Sequence, residues 1–259
     1  MIVLLASLAA LTSSAWAFDP VIQELSEGRI DWTALRLLAS AEGVPSGGVL
    51  VNLETLEGDA RQRLGPRMLA MARKVRISAD LTAADLLDAK DAVADRIDDN
   101  LMLWEVYEVR YYMSGGVEME GALPLQAWLR PALVSLAKGK DRTTPATAPT
   151  SGLVIDARGL DLSPALSPRL QGPGGETLYS VAAMTVLAAS QRTPVVYVTD
   201  PADVAAGRRA GGQPLFVRAQ SVTAKTDLVL DAADAARVAQ AAVDAPFLLQ
   251  GNVVVVVDK

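Results

Sequence analysis

Apolar and polar positions along this chain change rhythm several times, and each rhythm predicts an element. Ile2 to Leu11 is a continuous apolar run, closed by Thr12-Ser13-Ser14 and then Ala15-Trp16-Ala17. Residues 18–29 read as a short polar lead-in. From Ile30 to Ser40 apolar positions partly alternate, which predicts a strand ending at the turn signals Gly43, Pro45, Gly47 and Gly48. The spacing turns helical over Leu53 to Leu81, where Leu56, Leu64, Met68, Met71 and Val75 form a stripe and Arg61, Arg63, Arg67 and Arg73 take solvent. Gly65-Pro66 predicts a kink or a restart in that helix. A second helical stretch opens at Asp80-Leu81-Thr82-Ala83 and runs to about Asp98.

The clearest local pattern follows. Trp104 to Met113 alternates, with Tyr107, Val109, Tyr111 and Met113 on one face. Ser114-Gly115-Gly116 makes a turn, since a Gly-Gly pair suits the positive φ of a tight hairpin. Val117, Met119, Gly121 and Leu123 then share one face of the return strand, with Glu118 and Glu120 on the other. Leu125 to Ala137 reads as a short amphipathic helix or loop. Lys138 to Thr150 carries no apolar period and is rich in Thr, Pro and Ala, so it reads as a linker at a domain boundary.

In the second half, strands are expected at Gly152–Asp156, around Arg169–Gln171, at Pro194–Thr199, Leu215–Ala219 and Asp227–Leu230. Asp231 is a good N-cap for an Ala-rich helix over Ala232–Val243, with Asp234 in its first turn. Val253 to Val257 is continuously apolar, the mark of a strand buried on both faces. The expected fold class is α+β: a strand, long helix and β-hairpin domain over residues 18–137, a linker over 138–150, and a smaller mixed α/β domain over 151–259.

Composition narrows the chemistry. The chain has 259 residues, 51% hydrophobic and 21% charged, which describes a globular protein with a sizeable core. A net charge of −6 argues against a nucleic-acid partner, which would need a basic footprint. Cysteine and histidine are both absent. That removes thiolate nucleophiles, disulfides, the usual general base and the commonest transition-metal ligand. The opening run followed by A-x-A reads as a signal peptide over residues 1–17, although no Lys or Arg precedes the apolar run. That run is shorter than the roughly 20 residues a membrane span needs. The expected location is the periplasm, with outer-membrane association as a further expectation. Without a lipobox cysteine, no lipid anchor by acylation is expected.

Four segments of the first half carry a resemblance: IDWTALRLLASAEG, LAMARKVRISADLT, DAVADRIDDNL and EVYEVRYYMSGGVEMEGALPL. Their order resembles the envelope family of LPP-twenty-type outer-membrane lipoproteins and the N-terminal part of the flagellar protein FlgT. SGLVIDARGLDLSPALSPRLQGPGGETLYS, QPLFVRAQSV, TDLVLDAADAARV and NVVVVVD resemble a segment often joined to it. The resemblance implies an envelope role, in some members assembly of a ring around the flagellar motor.

Candidate chemistry is sparse. Asp156, Asp200 and Asp231 sit at strand ends, where carboxylates can hold a metal or act as acid and base, but a turn at Asp200-Pro201 and a helix cap at Asp231 explain two of them. Gly172-Pro173-Gly174-Gly175 lacks the GxxxxGK pattern and reads as a hairpin loop. Ser151, Ser163 and Ser167 have no histidine to activate them, and Lys138 and Lys140 lie in the linker. Asp95, Asp98 and Asp99 read as a solvated helix end. Tyr107 and Tyr111 are expected in the core, and Trp104 and Tyr112 on the opposite, exposed face. Trp104, Tyr112, Arg158 and Arg169 are therefore the candidates for a partner surface. No catalytic residue, cofactor or metal is expected. The expected function is non-enzymatic assembly or stabilisation of an envelope complex, by binding envelope proteins or by self-association, with exposed hairpin or sheet edges as contacts. A peptidoglycan- or glycan-binding module and a carboxylate-dependent hydrolase are the alternatives.

Overall fold

The structure, a computed structural model, describes residues 19–44, 52–140, 150–244 and 246–259. The expected signal peptide and residues 141–149 of the expected linker lie outside them. The fold is a mixed α+β arrangement built on two main sheets.

The first half starts with β1 (Ile22–Leu25), β2 (Gly28–Asp31) and β3 (Arg36–Gly43). The stretch expected as one strand is thus broken between β2 and β3. Asp31 Oδ1 accepts from Ala34 N at 2.7 Å, and Leu35 takes a positive φ of 55°, which turns the chain back on itself. Part of the expected polar lead-in forms β1. The helix α1 (Leu53–Ala72) is capped by the Asn52 side chain, which accepts from Glu54 N. It runs through Pro66 without restarting. Its buried stripe is Leu56, Ala60, Leu64, Met68 and Met71, while Pro66 faces solvent. The helix ends nine residues before Leu81, because Arg76-Ile77-Ser78 alternates exposed, buried, half-buried as the strand β4 (Arg76–Ser78), paired with β5 (Leu81–Thr82).

Two short helices replace the single second helical stretch. The helix α2 (Ala83–Asp88) opens with a Thr82–Asp85 capping box, and α3 (Ala92–Asn100) with Asp91 accepting from Val93 N and Ala94 N. A 3-10 turn over Leu101–Leu103 leads to β6 (Glu105–Tyr111), the hairpin turn and β7 (Val117–Pro124), then the helix α4 (Leu125–Leu136). Gly115 takes the positive φ, 87°, that the turn requires. These strands form an antiparallel sheet in the order β1-β2-β3-β7-β6.

The second half comprises β8 (Gly152–Asp156), β9 (Leu170–Gln171), β10 (Thr177–Tyr179), α5 (Val186–Gln191), β11 (Val195–Val198), α6 (Val204–Ala210), β12 (Pro214–Thr223), β13 (Asp227–Leu230), α7 (Ala232–Asp244) and β14 (Val253–Val256). The seven strands run in the order β10-β9-β13-β12-β8-β14-β11, and β12, β8, β14 and β11 are mutually parallel. β14 lies between β8 and β11 with all four valines buried. Val253 and Val255 join the main core, whereas Val254 and Val256 join a smaller cluster under α6 with Val154, Val196 and Ala206.

The main core is continuous across both halves. Trp32, in the β2–β3 turn, is wholly buried and meets the Tyr197 ring edge-on at 5.8 Å. Thr33 Oγ1 donates to Tyr197 O at 2.8 Å, and Leu166 N and Ser167 N donate to Arg76 O and Ile77 O at 2.9 and 2.7 Å. Lys138 N and Gly139 N, at the start of the expected linker, donate to Ala182 O and Met184 O.

Candidate partner-binding surface

The β6–β7 hairpin positions this surface. β6 ends the first sheet and pairs only with β7 among the described residues, so one row of its backbone groups is open. A bulge between Val106 and Glu108 puts Tyr107 out of phase with Val109. The expectation that Tyr107 and Tyr111 sit in the core is therefore overturned: they are 54% and 56% exposed. The Arg36 guanidinium lies 5.2 Å from the Tyr107 ring centre, and Tyr111 Oη donates to Glu57 Oε1 at 2.7 Å. Alternation along an edge strand does not bury a side chain where no layer covers it.

Beside the start of β6 lies a groove of about 510 Å³. Its walls are Pro66 and Leu69 of α1, Leu101 and Met102 of the 3-10 turn, and Trp104. Asp98 and Asp99, at the end of α3, form its rim. Trp104 is half-buried and Met102 is 79% exposed. Gly121 lets the wall close: a Cβ there would meet Leu64 Cδ2 at 2.9 Å and Trp104 Cε3 at 3.3 Å. Arg61 lies 5.9 Å from the Trp104 ring centre, within cation–π range. Asp98 and Asp99 make no ion pair among the described residues. The groove is thus an apolar floor with an acidic rim, next to the start of β6.

The other sequence candidates fall elsewhere. Tyr112 is exposed at the hairpin and donates a short hydrogen bond to Glu118. That bond, with help from Arg110, holds the Glu118 carboxyl below its usual range and pushes the Tyr112 hydroxyl up. Arg158 grips Asp156 with Nε at 2.9 Å and Nη2 at 2.7 Å, which lowers the Asp156 carboxyl. Arg169 binds Asp227 at 2.6 Å and, across the two halves, Asp80 at 3.0 Å. Only Trp104 lines the groove, and the four candidates do not converge.

The remaining motifs have local roles. Asp200 Oδ1 accepts from Ala202 N and Asp231 Oδ1 from Asp234 N, as a turn and a helix cap require. Ser151 Oγ donates to Ala210 O, and Ser167 Oγ accepts from Val181 N. Gly172 to Gly175 closes the β9–β10 hairpin, with Gly172 N donating to Glu176 O. Among the described residues no group of three or more acidic side chains is placed to hold a metal ion, and no helix is long and apolar enough to cross a membrane. Sequence reasoning missed Met102 and Leu69. The signal was the run Leu101-Met102-Leu103-Trp104 after an acidic helix end, which is more apolar surface than one turn can bury.

Residues 152–259 match the family model for the second domain of Treponema pallidum Tp0624. The match spans β8 to β14, the whole of the seven-stranded sheet, and leaves the first half outside it. No curated protein matches the chain.

Proposed function

We propose that this chain is an exported envelope protein that works by binding and assembly. Its partner is a protein that adds a strand to β6 and seats an apolar side chain in the groove, with Lys or Arg beside Asp98 and Asp99. The observation that carries this reading is the acid-rimmed apolar groove reached through Trp104, the residue that leads into the edge strand β6. Main-chain pairing supplies affinity in strand addition, and a pocket for one side chain supplies specificity. An apolar anchor in a pocket is also where binding energy concentrates at protein interfaces. The leader-like run Ile2–Ala17 and the resemblance of the first half to envelope proteins support an address outside the cytoplasm. A ring at the flagellar basal body is the finer form of the proposal, and self-association through the same edge is another.

The test is a pull-down from gently solubilised envelopes with the chain tagged at Lys259. The wild type is expected to recover basal-body or other outer-membrane complex components, and Met102→Asp to lose them. Placing a charge in the groove should weaken binding by about 30-fold, the effect of a 2 kcal/mol contact. Recovery unchanged by Met102→Asp would remove the groove from the proposal. Recovery of the monomer alone would favour the glycan reading, for which the exposed Tyr107 and Tyr112 are the best support.

A further inference from the structure

The two ends of the parallel strands in the second half differ in how their charges are matched. At the carboxyl ends, Asp156 closes β8 and Asp200 and Asp258 follow β11 and β14; Arg158 and Lys259 lie among them, and each carboxylate accepts hydrogen bonds from its own surroundings. At the amino ends lies a cleft of about 310 Å³ lined by Arg192, Arg208 and Arg209, with Val196 and Ala205 as its apolar floor and Gln191 beside them. Its lining holds no carboxylate.

The three arginines arrive from two elements. Arg192 follows α5, and Arg208 and Arg209 form the last turn of α6. None makes an ion pair among the described residues. Arg209 is half-buried and donates only to neutral acceptors, Thr193 Oγ1 at 2.8 Å and Gly251 O at 3.2 Å. Arg192 donates to Asn252 Oδ1 at 2.7 Å, also neutral. Arg208 is exposed. A buried guanidinium without a counter-charge is costly, and elsewhere in this half Arg158 and Arg169 each have a carboxylate. Burial, together with the like charge of Arg192, lowers the Arg209 guanidinium to about 10. Basic residues in the last turn of α6 suit the negative end of a helix, which accounts for Arg208 and Arg209. It does not account for Arg192, which comes from another element to the same cleft.

We propose that this cleft binds a phosphate group. Planar guanidinium forks match the oxygens of a phosphate in pairs, and three of them around a small hollow would neutralise it. The phosphate would supply the counter-charge that Arg209 and Arg192 lack. The site is separate from the β6 groove and does not depend on the partner reading. The group could come from a phospholipid head or from a soluble phosphate compound, and the chemistry at the arginines is the same for both.

The experiment titrates the full chain with inorganic phosphate at low ionic strength and follows the arginine Nε–H resonances by NMR. A chain of net charge −6 repels phosphate overall, so a saturable response reports a site. Saturable shifts at Arg192, Arg208 and Arg209 are expected, weakened about tenfold in Arg208→Gln, the loss of one charge-assisted hydrogen bond. Because Arg208 is exposed, that variant is expected to keep its fold, which its amide spectrum checks. Arg192→Gln provides a second test from the other wall. Co-sedimentation with phosphatidylglycerol vesicles, lost in Arg208→Gln, would assign a lipid source, whereas phosphate binding without vesicle binding would assign a soluble one. No saturable shift, or one that Arg208→Gln leaves unchanged, would overturn the proposal.

Discussion

The two sheets solve the same packing problem in opposite ways. In the first half, β7 alternates, with Met119 and Leu123 toward α1 and Glu118 and Glu120 toward the other face, which no helix covers among the described residues. In the second half, β14 has no polar side: its four valines are divided between two cores. An antiparallel meander can leave one face to water, whereas a parallel centre is flanked by crossover segments and reads as a solid apolar run. The covered sheet is the better protected unit, and the half-open sheet has surface to offer. The edge of β6 belongs to that half-open sheet, and the acid-rimmed groove lies between α1, the end of α3 and the turn that leads into β6.

The sharpest test of the contrast is at the joint between the two. Trp32 belongs to the first sheet but packs on Tyr197 of the second, and its Nε1 donates to Gln23 Oε1. Trp32→Ala should cost about 3–5 kcal/mol in urea unfolding. A single transition that shifts as a whole would show that the halves unfold together, and a split into two would show the open sheet melting first.

Buried charges should separate the halves next. In the second half Asp227 is 1% exposed and paired with Arg169, so Arg169→Met leaves a buried carboxylate without its counter-charge. The expected loss is about 3 kcal/mol, since Asp227 keeps the Arg169 N and Thr226 Oγ1 hydrogen bonds. In the first half Glu120 is buried beneath Arg29, at 2.7 Å, and its Oε2 has no hydrogen-bond partner. Arg110 Nη2 lies 4.0 Å from the same carboxylate and stays in place, so Arg29→Met should cost less, about 1 kcal/mol. Denaturation midpoints of the two variants check the order, and equal losses would erase the distinction between the covered and the half-open sheet.

The smallest expected effect is the response to acid. Arg158 holds the Asp156 carboxyl below its usual range. A carboxyl lowered by folding adds stability that is fully present above its unfolded value, near 4, and is lost as the pH falls through the lower folded value. Asp156→Asn should therefore flatten the stability curve below about pH 4 by less than 1 kcal/mol, because the pair is partly in solvent. A thermal melt series across that range checks it.

Local spacing made much of this fold legible. The amphipathic stripe of α1, the Gly-Gly hairpin, the cap at Asp231 and the valine strand β14 all follow from periods of two or near four and from turn chemistry within a few residues. Errors arose where a local rule met its surroundings. Pro66 did not restart α1, which runs on to Ala72, while the helix ended early where Ile77 could be buried from an extended backbone. Tyr107 and Tyr111 alternate like core residues but lie on an edge strand and stay more than half exposed.

What the sequence by itself determined was the elements with a strong local period, namely most of α1, the β6–β7 hairpin, α7 and β14, together with the acidic charge and the absence of histidine and cysteine chemistry. Only the tertiary structure decided which surfaces stay open and which side chains meet. The groove joins Pro66 to Trp104, and the cationic cleft joins Arg192 to Arg209, across separations that no local period reports. The physical reason is that spacing along a chain reports the face of one element, whereas a site is a convergence of faces from several, set by how the sheets and helices stack.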